Sequence, residues 1–254
     1  MSRSPPQFLA LAAAGLLSLA AQASEVTVSA AASLTNAFRD IAPLFEAAHP
    51  GTQVRLNFGA SGAMLVQMAQ GAPVDVFASA DADRMDQAVA RNLVRPETRR
   101  DFASNTLVLV VPAAGSRGAA ALTTLTDLAR PEVKRIALGL PASVPAGSYA
   151  RSALEAGRLW NTLARRTIGA NNVRQVLDYV ARGEVDAGFV YATDALLMPD
   201  RVKVAFTVPT PKPILYPVAV LAKAPNPTGA TQFVDFLFTP AAQAVLARHG
   251  FGKP

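Results

Sequence analysis

The stretch Val26-Thr27-Val28-Ser29-Ala30-Ala31-Ala32-Ser33-Leu34-Thr35 opens the pattern that decides the fold. Its first five residues read as a short strand. From Leu34 to Ala48 the apolar residues Phe38, Ile41 and Phe45 recur at helical spacing, with a kink expected at Pro43. Gln53 to Phe58 reads as the next strand. Ser61 then begins a helix carrying Met64, Leu65 and Met68 on one face, with Gly71 as its stop. Val74 to Ser79 is a short buried strand, and Asp81 opens a helix running to about Arg91. This βαβαβα order predicts an α/β fold built on an open, mostly parallel sheet flanked by helices.

Further along, the pattern repeats with different material. Leu107 to Val111 is a wholly apolar strand, Leu122 to Ala129 a short helix, and Arg135 to Gly139 another strand. A helix is expected from Ser148 to Ala156, ending at Gly157. Asn172 to Arg182 carries Val173, Val176, Leu177 and Val180 at i, i+3, i+4 and i+7, with Gly183 past its end. Strands follow at Val185 to Tyr191 and Tyr216 to Ala222, and two helices near Thr231–Phe238 and Ala241–Arg248 complete the order. Two α/β units imply two lobes, 24–104 with 217–254 and 105–216. Ala103-Ser104-Asn105 reads as the outward crossover, and the proline-rich Pro209-Thr210-Pro211-Lys212-Pro213 as the return. A double crossover predicts a hinge and a cleft, with helix N-termini at strand ends aimed into it.

Composition removes several chemistries. The 254 residues are 51% hydrophobic and 17% charged, enough to bury a core, and contain no Cys, which excludes disulfides, thiolate metal sites and cysteine nucleophiles. The net charge of +6 is spread along the chain with no basic block beyond Arg99-Arg100 and Arg165-Arg166, and aromatics are 7%, a poor match to nucleic-acid binding. At the N-terminus, Arg3, the apolar run Phe8 to Leu19 and Ala21-Gln22-Ala23 form the three-part pattern of a secretory signal peptide over 1–23. A lipoprotein needs a Cys at the cleavage site, so a freely diffusing periplasmic protein is expected.

Ser33 and Ser61 both stand at strand-to-helix junctions, the second within Gly59-Ala60-Ser61-Gly62, where small residues let a ligand approach the backbone. Each also reads simply as a helix N-cap. In the second unit, Val144-Pro145-Ala146-Gly147-Ser148 and Ala170-Asn171-Asn172-Val173 lead into helices, and Tyr191 ends a strand, while Asp194 reads as a helix cap. Hydroxyls and free N–H groups at helix N-termini make an anion site without formal charge. A periplasmic serine hydrolase, the competing reading, needs a base. Of the two histidines, His49 precedes Pro50-Gly51 in a turn and His249 sits in the terminal helix, and neither serine is in a Gly-x-Ser-x-Gly elbow.

Taken with Pro73-Val74-Asp75-Val76-Phe77-Ala78-Ser79-Ala80-Asp81 and Gly188-Phe189-Val190-Tyr191, these stretches resemble, in order and spacing, the periplasmic molybdate-binding proteins of molybdate ABC importers. The resemblance implies a type II periplasmic binding protein fold, no enzymatic activity, no cofactor, and a monomer that carries molybdate or tungstate to a membrane permease. It also implies the site: Ser33 and Ser61 supply hydroxyl and amide, Ala146 and Val173 supply amides, and Tyr191 supplies its hydroxyl. These five contact the metal oxyanion, and no side chain ligates a metal cation directly. Sulfate, or another oxyanion, is the alternative ligand.

Overall fold

The computed structural model describes residues 24–113 and 122–254; the expected signal peptide, 1–23, lies outside the described residues. The strands are β1 Ser24–Ala31, β2 Thr52–Gly59, β3 Val76–Ala78, β4 Arg100–Asn105, β5 Leu107–Pro112, β6 Ile136–Gly139, β7 Thr167–Ala170, β8 Ala187–Tyr191, β9 Val202–Thr207 and β10 Ile214–Val220. The helices are α1 Thr35–Ala48, α2 Ser61–Ala69, α3 Ala82–Ala90, α4 Pro145–Ala156, α5 Trp160–Leu163, α6 Val173–Ala181, α7 Ala192–Ala195, α8 Pro227–Phe236 and α9 Pro240–Arg248. Among the described residues no helix is long and apolar enough to cross a membrane.

Two five-stranded sheets organise two lobes, ordered β2-β1-β3-β10-β4 and β7-β6-β8-β5-β9. Each sheet is mixed. In the first, β1 pairs parallel with β2 and β3, while β10 is antiparallel to β3 and β4; in the second, β6 pairs parallel with β7 and β8, while β5 is antiparallel to β8 and β9. The sequence reading expected mostly parallel strands. The antiparallel members are β5 and β10, which arrive directly from the other lobe, and a strand entering without a helical crossover is free of the constraint that keeps neighbours parallel.

The outward link between lobes is shorter than the sequence suggested, and the return is one residue longer. Ala103, Ser104 and Asn105 lie in β4, so the outward passage is Thr106 alone. The return runs from Thr207 to Ile214 through the expected prolines. Ile214, Leu215 and Tyr216 already pair with Asn105, Ser104 and Ala103, so the first sheet claims residues on both sides of the expected 104/105 and 216/217 boundaries.

Both cores follow the apolar periodicities. On α1, Phe38, Ile41 and Phe45 are fully buried, and Phe233 of α8 meets Phe38 and Phe45 edge-on at 5.9 and 5.2 Å between ring centroids. Burying each such side chain is worth roughly 1.5–3 kcal/mol. Pro43 faces solvent, where its missing N–H costs no buried partner, and α1 runs through it to Ala48. The α4 helix begins at Pro145, three residues earlier than expected, because proline suits the first helical turn and not its interior. That shift brings Ala146 into the first turn.

Candidate functional site

The three parallel-paired strands of each sheet end at one cleft, and the segments that follow them face each other there. Ser33 lies in the 3-10 turn Ala32–Leu34 after β1, and Ser61 is the first residue of α2 after β2. From the other lobe come Ala146 in the first turn of α4, Val173 at the start of α6 and Tyr191 at the end of β8. All five sequence-expected residues line one small cavity of about 10 Å³. That is about the space a single buried water needs.

Neither serine serves as an N-cap through its side chain. Ser61 Oγ instead accepts from the amide of Ala80 at 3.1 Å, and Ser33 Oγ lies 3.0 Å from the hydroxyl of Tyr216. The amides of Ala146 and Val173 occupy first-turn positions that have no acceptor within a helix. No side chain caps α4, whereas Asn172 caps α6 by accepting from the amide of Gln175 at 3.0 Å, two residues beyond the Val173 amide. Gly147 permits this arrangement of α4, since a Cβ there would fall 1.8 Å from the carbonyl oxygen of Gly139 in β6. Tyr191, fully buried, donates its hydroxyl across the cleft to the carbonyl of Ala80 at 3.3 Å.

No charged side chain lines the cavity. Burial raises the hydroxyls of Tyr191 and Tyr216 well above their ordinary titration range, so both stay protonated and neutral. The nearest charges are paired, and each pair reaches across the cleft. Arg174 of α6 forms an ion pair with Asp194 of α7 at 2.6 Å and donates to the carbonyl of Ser33 and to Asn36 Oδ1, both at 2.9 Å. Arg84 of α3, beside Asp81 at 3.7 Å, donates to the carbonyls of Pro141 and Ala142 at 3.2 and 3.0 Å. Burial pushes Asp194 up to about 6, against the pull of Arg174 and the Tyr191 amide, and raises Asp81 against the pull of Arg84. Each lobe therefore clasps the other's backbone with one carboxylate-backed arginine. A backbone-to-backbone bond also crosses the cleft, from the amide of Gly62 to the carbonyl of Ser143 at 2.9 Å.

The model of the bacterial extracellular solute-binding proteins matches residues 26–252. The chain belongs to that family. It is similar to the molybdate-binding protein ModA of Escherichia coli, 38% identical over 230 residues covering 89% of this chain and 88% of ModA. Among solved structures, the periplasmic molybdate-binding protein of Azotobacter vinelandii superposes with a TM-score of 0.79 at 24% identity, covering 90% of this chain and 99% of that one. The sulfate-binding protein SubI of Mycobacterium tuberculosis superposes with a TM-score of 0.76 at 22% identity, covering 90% and 86%. These two likenesses show the two-lobed fold. As a solute-binding protein the chain is a receptor and not an enzyme.

In this solute-binding protein the sequence reading missed Tyr216, Asn105, Arg174, Arg84 and Ala80, all within hydrogen-bond reach of the site residues or the opposite lobe. Ala80 stands in the sequence only within the stretch Pro73 to Asp81, between the strand ending at Ser79 and the helix opened by Asp81. Asp194 does cap α7, its carboxylate accepting from the Tyr191 amide at 3.1 Å, but it also carries the clasp.

Proposed function

We propose that this protein is a periplasmic receptor for molybdate and tungstate that closes its two lobes on the oxyanion and delivers it to the membrane permease of an ABC importer. The observation that carries this reading is the small cavity, without a charged side chain in its lining, formed from both lobes by residues that include Ser33, Ser61, Ala146, Val173 and Tyr191. The names of the E. coli and A. vinelandii relatives support the ligand. Serine hydroxyls and amides, two helix-start amides and the tyrosine hydroxyl would provide neutral donors to a tetrahedral dianion. Each charge-assisted bond contributes roughly 1.5–3 kcal/mol before desolvation and closure are charged against it. A net of about −8 kcal/mol already corresponds to micromolar binding. With donors anchored on two rigid lobes, discrimination from sulfate rests on cavity size, since sulfate has the same charge and shorter bonds. Tungstate, nearly the size of molybdate, binds alike. The 1–23 segment serves as its export signal, and the receptor acts as a monomer.

Isothermal titration of ligand-stripped protein tests this. Molybdate and tungstate bind one-to-one, with sulfate and phosphate weak, and Ser33→Ala and Tyr191→Phe each weaken molybdate by roughly 1–3 kcal/mol. Preferred sulfate binding would overturn the ligand assignment. Unchanged molybdate affinity in both variants would overturn the site.

A further inference from the structure

The segment after α9 touches both lobes. It leaves the helix through a left-handed turn: Gly250 has φ +83°, its amide donates to the carbonyl of Ala247 at 2.9 Å, and the amide of Phe251 donates to the carbonyl of Leu246 at 3.1 Å. On the first lobe the segment is fastened to β4, the edge strand that ends at the outward crossover. Gly252 and Ser104 exchange backbone bonds in antiparallel pairing at 2.8 and 3.0 Å, and Ser104 Oγ donates to the carbonyl of Lys253 at 2.6 Å. Phe251 is buried and meets Tyr216 edge-on at 5.3 Å between ring centroids, directly behind the Tyr216 hydroxyl that lies 3.0 Å from Ser33 Oγ. On the second lobe the same segment rests against α7, which stands between β8 and β9. A Cβ at Gly250 would fall 2.6 Å from Leu196 Cδ1 and 3.6 Å from Thr193 Cγ2, so glycine serves both the turn and this close approach. Thr193 is in turn held at the crossover, where its Oγ1 accepts from Asn105 Nδ2 at 2.9 Å.

We propose that Gly250 to Lys253 form a strap between the lobes, a third and non-covalent link beside the two crossovers, and that Gly250 and Leu196 are the positioning residues through which it restrains the hinge. Crossovers alone let a hinge absorb large changes in backbone angle. A strap rooted on β4 and seated on α7 limits that freedom at the crossover itself. Leu196 is 62% exposed, so its contact with Gly250 lies outside either core and bears on how the lobes sit together more than on how each folds. The restraint is independent of which solute the cleft takes.

Because the chain has no Cys, a spin label can be placed on each lobe by Gln53→Cys on β2 and Asn161→Cys on α5, both exposed, and the distribution of distances between them read by double electron–electron resonance in ligand-free protein. Two variants in that background test the strap at its two ends. Leu196→Ala removes the seat on α7, and Gly252→Pro removes the amide that fastens the segment to Ser104. The expected result is a distance distribution at least half again as wide in each variant as in the labelled parent, with circular dichroism unchanged. A purely structural role would lower stability in urea and leave the width alone, so an unchanged width in either folded variant would overturn the proposal. If Gly252→Pro does not fold, Leu196→Ala decides alone. Molybdate added to the labelled parent separates the two readings: a distribution that neither shifts nor narrows would overturn the reading of the cavity, while the ligand-free widths still decide the strap.

Discussion

Replacing Gly62 by alanine separates closure from folding. Gly62 is the second residue of α2, and its amide donates across the cleft to the carbonyl of Ser143 at 2.9 Å. An added Cβ would sit 2.7 Å from that carbonyl oxygen and 2.8 Å from the Ser143 Cα, both backbone atoms of the opposite lobe. The methyl cannot be accommodated by a side-chain rotation, so the lobes must part. Weakening the cross-cleft bond costs about 0.5–1.5 kcal/mol. Overpacking adds typically 1–3 kcal/mol. Together these raise the free energy of the closed form by roughly 2–4 kcal/mol, a loss in ligand affinity of about thirty- to several hundredfold. Within its own lobe the change is benign, because alanine is the better helix former by up to about 1 kcal/mol and Gly62 does not have a positive φ. Isothermal titration with molybdate gives the affinity, urea denaturation of the ligand-free protein gives the stability, and small-angle scattering gives the compaction on binding. Affinity within threefold of wild type, at unchanged stability, would refute the argument that this contact limits closure.

Two further outcomes follow from the clasps. Arg174→Lys keeps a charge beside Asp194 but loses the fork that reaches the Ser33 carbonyl and Asn36 together. Loss of one charge-assisted bond, about 1.5–3 kcal/mol, should speed ligand dissociation by roughly ten- to a hundredfold in stopped-flow displacement, with the association rate little changed. An unaltered dissociation rate would remove Arg174 from the closure machinery. The second concerns Asp194, raised from 3.8 to about 6 by burial. Between those values the native state binds more protons than the unfolded chain, so the contribution of Asp194 to stability falls as pH rises from about 4 to about 6. Relative to Asp194→Asn, the wild type should therefore lose stability across that window, on the order of 1–3 kcal/mol, in urea denaturation at stepped pH. A difference that grows with pH there would show that Arg174 dominates over burial.

Where a residue's role is set by its chain neighbours, the sequence made it legible. The Leu107–Val111 run could only be a buried strand, and the apolar stripe of α6, with Asn172 before it and Gly183 after it, located both ends of that helix. The five residues that the resemblance implied all line one cavity, and the strand-to-helix junctions on which they stand are local features. Ser33 and Ser61 could not be told from N-caps, however, since the partners that engage them, Tyr216 and Ala80, are 183 and 19 positions away. The polar edge strand β4, Arg-Asp-Phe-Ala-Ser-Asn, shows little apolar signal, and its second half, Ala103 to Asn105, reads as the outward crossover. By contrast β9, Val-Lys-Val-Ala-Phe-Thr, does alternate and could have been read. The arginine clasps had no local signature, because an arginine that crosses a cleft has the same sequence neighbourhood as one in solvent.

The strand orders of the two sheets are copies of one another. Renaming β6, β7, β8, β5 and β9 after β1, β2, β3, β10 and β4 turns one list into the other, and the residues at the cavity follow equivalent strands in both. The cleft is thus bounded by the ends of topologically equivalent strands, so whatever the cavity holds is met by chain segments that leave the two sheets at matching positions.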